Sequence, residues 1–284
     1  MGYQEFRPSR FQVLPPVVKN ILIISGIVFL ATELLKLKSG IDLTDYLGLH
    51  YYSSELFKPH QFITYIFMHG NFTHIFFNMF AVWTFGSVLE NVWGAKRFLI
   101  FYLITGLGAA LIQYLVFYLQ VQPVEETFNA LIQSNDLEKL SAFFNNGGLS
   151  GYLNSELYSQ FPAFVEEYNK ALSGDESHAV FLAHDFLTMV KEQYLNAHVV
   201  VGASGSLFGL LLAFGMMFPN TVLNIYFFIP IKAKYLVILY GAFELISGIA
   251  NQPGDNVAHF AHLGGMLFGF FMIILWKKNR TNFY

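Results

Sequence analysis

Long apolar runs dominate the pattern of hydrophobic and polar positions along the chain. A membrane-spanning helix needs about 20 mostly apolar residues to cross a hydrocarbon core of ~30 Å. Six stretches reach or approach that length, near residues 18–37, 73–91, 98–120, 203–219, 234–250 and 258–277. The pattern therefore predicts an all-α membrane protein in which six helices form a transmembrane bundle.

The segment between the third and fourth predicted spans has a different pattern. Residues 121–197 contain eleven acidic residues and only three lysines. Apolar residues such as Phe186, Val190 and Tyr194 recur there at helical spacing, and glycine-rich stretches mark turns. We expect a small helical domain inserted outside the membrane. A solvated acidic loop with some helix is the alternative, because so short a segment makes a marginal core.

Composition agrees with a membrane protein and excludes some chemistry. Only 12% of the residues are charged, whereas a soluble domain has roughly a quarter. The chain has no cysteine, which excludes disulfides, thiolate zinc sites and cysteine nucleophiles.

The basic residues indicate how the chain is oriented. Most of them lie at the ends and in the loops that would share one side of the membrane: Arg7, Arg10, Lys19, Lys96, Arg97, Lys232, Lys234, Lys277, Lys278 and Arg280. By the positive-inside rule both termini are cytoplasmic and the acidic segment lies outside. The segment before the first span lacks signal-peptide features, so that span should be retained. The expected location is a bacterial inner membrane.

Strongly polar residues occur at the starts of three predicted spans. His74 and Asn78 are four residues apart, so they share one face of the second span. Ser204 stands in the first turn of the fourth span, and His259 and His262 stand in the first turns of the sixth. Alternating topology places all three starts toward the outer side, where these costly intramembrane groups can meet at one depth.

Such a meeting suggests serine-based catalysis. A serine hydroxyl becomes a nucleophile when an imidazole within hydrogen-bond reach takes its proton. At a helix start, the amide of Ser204 can point toward a developing oxyanion, and His74 and Asn78 can supply further donors. Gly202 and Gly205 would allow a tight turn around the serine.

These residues stand in motifs that resemble those of the rhomboid intramembrane serine proteases. The motifs are HxxxN with His74 and Asn78, GASG around Ser204 and AHLGG around His262. The resemblance covers the six-span core and leaves out the acidic segment. It implies that Ser204 is the nucleophile and His262 its general base, in a dyad without an acidic third member. It also implies an oxyanion hole made by His74, Asn78 and the Ser204 amide.

The resemblance assigns supporting roles to further residues. His69 matches a histidine that supports the loop after the first span, and Phe208 replaces a tyrosine that many relatives stack on the catalytic imidazole. In LENVWGAKRF, the residues Glu90, Gly94 and Arg97 resemble structural anchors of a turn between spans.

One position departs from the family pattern. The first outer loop of the family commonly carries Trp-Arg, where this chain has His60 and Gln61.

The short loop at 250–257, ANQPGDNV, is expected to act as a flexible cap.

The implied activity is cleavage of transmembrane segments of other proteins. The expected partners are single-span membrane protein substrates and the lipid bilayer, with no nucleic acid and no cofactor. Cleavage should occur near the outer end of a substrate helix, at small residues with helix breakers nearby, because a helical peptide bond is shielded.

Simpler interpretations of the same residues stay open. The pairs Gly205 with Gly209 and Gly265 with Gly269 are typical of close helix packing. Glu244 in the fifth span is expected to be a buried, paired carboxylate, with a gating role as the alternative. His259 is expected to support the site through a hydrogen bond, with a direct catalytic role as the alternative.

Other classes of site and function also stay open. The chain has neither HExxH nor GxGD, so zinc and aspartyl intramembrane protease signatures are absent. An incidental metal site of His69, His74, His259 and His262 is an alternative use of the histidines. A non-catalytic rhomboid-like protein that binds membrane clients, or a transporter, would also use polar groups in spans, with Ser204 as a packing residue.

Overall fold

The structure is a computed structural model that describes residues 11–225, 229–250 and 257–278. The described residues form these helices: α1 (Pro16–Ser39), α2 (Thr44–Leu47), α3 (Gln61–Thr64), α4 (Phe72–Ala81), α5 (Ser87–Trp93), α6 (Ala95–Ile132), α7 (Leu137–Asn145), α8 (Ser155–Leu172), α9 (Glu176–Asn196), α10 (Ser204–Met217), α11 (Ala233–Ala250) and α12 (His259–Lys278). A 3-10 turn spans Tyr65–Phe67. The short strands are β1 (Leu49–His50), β2 (Val199–Val200), β3 (Val222–Ile225) and β4 (Ile229–Lys232).

The predicted all-α membrane bundle is confirmed. In the described residues, five helical segments are long and apolar enough to cross a membrane: α1, Phe72–Trp93, α6, α11 and α12. The fourth predicted span, 203–219, is the shorter helix α10 of 14 residues. It begins after Gly202, whose φ is +120°, and ends at Met217, shortly before Pro219. Pro219 disfavours helical backbone at the residue before it.

The length of α10 matters for the depth of its ends. Fourteen residues extend about 21 Å, which is less than the ~30 Å hydrocarbon core. At least one end of α10 therefore lies below the membrane surface if the helix stands within the bundle. Most of its residues are buried, including both members of the Gly205 and Gly209 pair.

The second span contains an irregularity that the sequence pattern does not predict. Helices α4 and α5 are joined by a π-helical turn at Val82–Gly86, so Phe72–Trp93 forms one continuous helical segment. A methyl group added at Gly86 would lie 3.1 Å from both Phe98 and Val18. The π-turn therefore stands where neighbouring helices approach closely.

Helix α6 extends well beyond the predicted third span. The span was predicted to end at residue 120, but the helix continues to Ile132. Val121, Phe128 and Leu131 are buried, so apolar side chains keep one face of the helix packed after the composition becomes acidic. The change in composition therefore leaves the helix unbroken.

The chain divides into two compact units. Of the described residues, those within 1–49, 59–113 and 200–284 form one unit, and those within 50–58 and 114–199 form the other. In the second unit, α7, α8 and α9 pack around a hydrophobic core of their own that includes Leu140 and Leu187. The rings of Phe164 and Phe186 stack in that core with centroids 4.1 Å apart.

Polar residues cap the helices of the second unit. The side chains of Asp136, Asn154 and Asp175 each accept a hydrogen bond from a backbone N–H in the first turn of α7, α8 and α9, respectively. Acidic residues at helix starts also interact favourably with the helix dipole. Some of the acidic residues of this segment therefore stabilise the starts of its helices.

In the first unit, Glu90 satisfies the start of α1. Its carboxylate oxygens accept hydrogen bonds from the N–H groups of Val17 at 2.9 Å and Val18 at 2.8 Å. The side chain is buried, and it accepts hydrogen bonds from donors that have no partner within their own helix. Gly94, with φ +79°, forms the turn between α5 and α6. Glu90 and Gly94 thus make structural contacts, while Arg97 is exposed.

A two-stranded hairpin links α10 to α11. Strands β3 and β4 pair antiparallel, with Val222 opposite Lys232 and Ile225 opposite Ile229. These strands lie between the predicted spans 203–219 and 234–250, where the sequence pattern predicts only a connection.

Candidate active site

The backbones of α10 and α12 touch at paired glycines. A methyl group added at Gly265 would overlap the carbonyl oxygen of Gly205, and one added at Gly269 would lie 3.3 Å from the Cα of Gly209. The close packing predicted for both glycine pairs is therefore confirmed. Because Gly205 follows Ser204 directly and Gly265 follows His262 by less than one turn, this contact brings both residues to one place.

His262 lies against the first turn of α10. Its ring stacks on Phe208 with centroids 4.2 Å apart and an interplanar angle of 8°. Phe208 is one turn after Ser204, which is the first residue of α10. His262 is buried, whereas Ser204 keeps part of its surface accessible. A phenyl ring thus fixes the imidazole plane without offering it a hydrogen-bond partner.

His74 and Asn78 lie beside the turn that precedes Ser204. A methyl group added at Gly202 would lie 2.8 Å from His74 Nε2 and 3.6 Å from Asn78 Nδ2. The N–H of Gly202 donates to the carbonyl of Tyr65 at 2.9 Å, which holds this turn in place. Only glycine suits the position, since its φ is +120° and its missing side chain leaves room for the two polar groups.

Helix α4 carries both side chains. The side chain of Asn71 caps this helix by accepting a hydrogen bond from the His74 N–H at 2.8 Å. Asn78 is buried, and its Nδ2 has no hydrogen-bond partner among the described residues. A buried, unpartnered amide is costly in a folded protein, so this donor needs an explanation.

His69 supports the same region from the preceding loop. Its Nδ1 donates to the carbonyl of Phe67 at 3.2 Å, and its ring meets His74 edge to face with centroids 5.1 Å apart. Burial, reinforced by the neighbouring His74, lowers the pKa of His69 to about 4. The imidazole of His69 is therefore neutral at neutral pH and acts as a positional support.

Glu244 joins the two histidines of α12. Its Oε2 accepts a hydrogen bond from His259 Nδ1 at 2.6 Å and lies 2.9 Å from His262 Nδ1. All three side chains are buried. Glu244 is thus a buried, paired carboxylate, as the sequence pattern indicated, and His259 makes the expected supporting hydrogen bond. The sequence did not show that the same carboxylate also approaches His262.

The histidines of this region have different immediate neighbours. Among the described residues, Glu244, His259 and His262 place three metal-ligand-type atoms within 4.8 Å of one another. His69 instead pairs with His74. The alternative metal site consisted of the four histidines alone. In the structure, the carboxylate of Glu244 lies beside two of them, His259 and His262, and the sequence interpretation did not include it.

Two site-supporting residues were missed by the sequence analysis. Tyr65 holds the turn at Gly202 through its carbonyl, and its hydroxyl donates to the carbonyl of Gly106 at 2.7 Å. Asn71 caps α4. The pattern Asn followed by an apolar helix was a recognisable capping signal for Asn71, whereas a main-chain contact such as that of Tyr65 leaves no mark in the sequence.

The loop at His60 and Gln61 makes ordered contacts despite its departure from the family pattern. His60 Nε2 donates to the carbonyl of Tyr46 at 2.9 Å, and the Gln61 amide, fully buried, lies 3.4 Å from the same oxygen. The expected cap at 250–257 falls almost wholly outside the described residues.

The fold and this cluster define a polytopic membrane protein with serine, histidine and asparagine side chains gathered around the start of one short helix. The rhomboid domain family matches residues 57–123 and 175–279, which is more than half of the chain. The chain belongs to the rhomboid family. A comparison with curated proteins gave no match.

The glycine contact between α10 and α12 predicts a specific loss of stability. Gly265→Ala should lower the free energy of unfolding in detergent by about 1–3 kcal/mol, because the new methyl group overlaps the Gly205 carbonyl. The measurement is thermal unfolding of the purified protein. The matched control is Gly26→Ala in α1, where a methyl group would meet nothing within 4 Å. Equal melting temperatures for the two variants would contradict the close contact.

Proposed function

We propose that this protein is an intramembrane serine endopeptidase that cleaves transmembrane segments of single-span membrane proteins. The observation that carries the proposal is the convergence of His262, His74 and Asn78 on the turn and first residue of α10, where Ser204 stands. Membership of the rhomboid family supports the same reaction. No cofactor or metal enters the proposed chemistry.

The proposed reaction begins with attack by the Ser204 hydroxyl on a substrate carbonyl carbon. His262 takes the hydroxyl proton as the C–O bond forms. The carbonyl oxygen becomes an oxyanion and accepts hydrogen bonds from the Ser204 amide, His74 Nε2–H and Asn78 Nδ2–H. His262 then gives the proton to the leaving amine as the C–N bond breaks. Water, activated by the same imidazole, hydrolyses the acyl-enzyme.

The geometry around Gly202 supports the oxyanion assignment. His74 Nε2 and Asn78 Nδ2 approach the same point beside Gly202, and the amide of Ser204 is two residues further along. Since Asn78 Nδ2 has no partner among the described residues, it has no existing hydrogen bond to give up when it binds an oxyanion. Donors that are already oriented contribute most to this kind of catalysis.

The membrane orientation is part of the proposal. The distribution of Lys and Arg favours cytoplasmic termini, in a bacterial inner membrane. With that orientation the starts of α4, α10 and α12 face the outer side. The short length of α10 is compatible with a serine that lies below the membrane surface yet is reached by water from that side.

We test the cleavage activity with a single-span reporter in liposomes. The reporter carries small residues and a proline near the outer end of its helix, between two tagged soluble domains. We expect the wild type to release both tagged fragments, and Ser204→Ala and His262→Ala to release none. Ser206→Ala is the matched control, because the buried Ser206 hydroxyl donates to the Tyr102 carbonyl at 2.8 Å and should leave cutting intact.

Two results would contradict the proposal. Continued cutting by Ser204→Ala would exclude this serine as the nucleophile. A wild-type protein that is folded, retains the intact reporter on purification and cuts none of a panel of such reporters would favour binding of membrane clients instead.

The oxyanion hole gives a separate prediction. Asn78→Ala should lower kcat for the reporter by about 10²–10³-fold, because one preorganised donor is lost. Steady-state kinetics in liposomes provide the measurement. The control is Asn91→Ala, since Asn91 Nδ2 already donates to the carbonyls of Gln12 and Ser87. A similar kcat for Asn78→Ala and Asn91→Ala would remove Asn78 from the oxyanion hole.

The acidic segment is proposed to be an outer domain, residues 121–197, that selects substrates by charge. Replacing residues 123–194 with a short flexible linker should keep cutting of the reporter while reducing the preference for reporters with basic outer flanks over acidic ones. Competition between the two reporters in one liposome preparation measures this preference. Loss of all cutting by a folded core would show that the segment belongs to the catalytic scaffold.

A further inference from the structure

A carboxylate within a membrane-spanning helix needs an explanation. Glu244 lies in α11, is 5% exposed, and is the sole acidic residue of that helix. Ionisable groups at such positions are costly and commonly functional. Among the described residues, two histidines of α12, His259 and His262, lie 2.6 and 2.9 Å from its carboxylate. One of these is the proposed general base.

The contacts with Glu244 indicate which nitrogen of each histidine carries a proton. An ionised carboxylate only accepts hydrogen bonds, so a ring nitrogen that faces it carries a proton. Both histidines present Nδ1 to the same oxygen, Oε2, at 2.6 Å for His259 and 2.9 Å for His262. A neutral imidazole that is protonated at Nδ1 has its lone pair at Nε2. In His262 this proton-accepting nitrogen, Nε2, would then point away from Glu244.

The two contacts differ in their direction. The contact with His259 has full hydrogen-bond geometry. Nδ1 of His262 approaches the same oxygen at a comparable distance but outside the direction of a good ring N–H bond. The His259 bond therefore holds the carboxylate in place, with Oε2 within hydrogen-bond distance of His262 Nδ1.

The stacking of Phe208 on His262 does not by itself fix which ring nitrogen of His262 carries the proton. Phe208 covers one face of His262 at 4.2 Å and fixes the plane of the imidazole. Stacking cannot select between the two neutral tautomers or stop the ring from flipping within its plane. Only a polar partner at one nitrogen does that, and Glu244 is such a partner.

We propose that Glu244 is a positioning residue that holds His262 in the Nδ1-protonated tautomer and stabilises the imidazolium formed during catalysis, with His259 anchoring the carboxylate. This inference rests on the proposed function, because it assigns His262 as the base. The expected dyad of Ser204 and His262 would then become a triad, with Glu244 as its third member. No proton passes to Glu244; the proton from Ser204 stays on His262 Nε2 until it goes to the leaving amine.

The first test separates catalysis from binding. Glu244→Gln keeps the side-chain size but removes the charge and gives the carboxamide a donor of its own. We expect kcat for the reporter to fall at least about tenfold, which is part of the 10²–10⁴-fold that acid–base catalysis contributes, with KM unchanged. Glu244→Asp keeps the charge and should recover part of the lost kcat.

A spectroscopic measurement reads the tautomer directly. Nitrogen-15 NMR of the histidine-labelled protein, with His262→Gln for assignment, should show His262 protonated at Nδ1 in the wild type. Glu244→Gln should shift His262 to a mixture of tautomers or to the other form. A packing role alone would lower stability without changing which ring nitrogen carries the proton.

The matched control is a second buried carboxylate. Glu90→Gln also converts a buried, hydrogen-bonded glutamate to an amide, but it acts at the start of α1. We expect Glu90→Gln to lower the melting temperature while leaving kcat and the tautomer of His262 as in the wild type.

Three outcomes would overturn the inference. Glu244→Gln with wild-type kcat and tautomer would leave Glu244 as packing. Equal losses in Glu244→Gln and Glu90→Gln would show a general loss of structure. Wild-type activity that chelators abolish and zinc restores would show that Glu244, His259 and His262 hold a metal instead. In each case cutting by the wild type and its loss in Ser204→Ala keep the proposed function separately measurable.

Discussion

The contact between the backbones of α10 and α12 is the constraint on which the candidate site depends. Membrane helices gain little from hydrophobic burial against one another, so they associate through close packing and hydrogen bonds. Gly205 and Gly265 allow an approach that no larger residue permits. Because Ser204 and His262 stand beside these glycines, the same contact that stabilises the bundle places the helical turns that carry them next to each other. Packing and the proposed chemistry are therefore compatible interpretations of this motif.

The polar groups of the first unit differ in how fully they are satisfied. Glu90, Ser206 and Thr105 each bond to nearby backbone groups, as buried polar side chains generally must. Asn78 keeps a buried donor without a partner among the described residues. In the part of the chain that the structure describes, Ser25, Ser87 and Tyr102 also have buried hydroxyls without a partner, so it is the position of Asn78 beside Gly202 that favours a ligand-binding role.

Much of the fold and the gathering of the site could be predicted from the sequence. Apolar runs located the spans, and the positions of His74, Asn78, Ser204 and His262 at span starts predicted their convergence. The glycine pairs predicted which helices touch. These features follow from periodicity and helix geometry, which a sequence displays directly.

Other features depend on contacts between distant residues and could not be predicted in that way. The length of α6 is set by buried residues after 120, and the π-turn at Val82–Gly86 has no compositional sign. Glu244 was recognisable as a costly charge, but its two partners follow from how α11 packs on α12. The support of Gly202 by the Tyr65 carbonyl is a main-chain contact that side-chain patterns do not encode.

The central claim is that Ser204 is an activated nucleophile, and covalent labelling tests it most directly because no substrate needs to be known. The folded protein in membranes would be treated with a fluorophosphonate at neutral pH, digested, and the modified residue located by mass spectrometry. The account predicts a single phosphonylated residue, Ser204, and no labelling in His262→Ala. Absence of labelling in folded wild-type protein, or modification of a different serine, would contradict it.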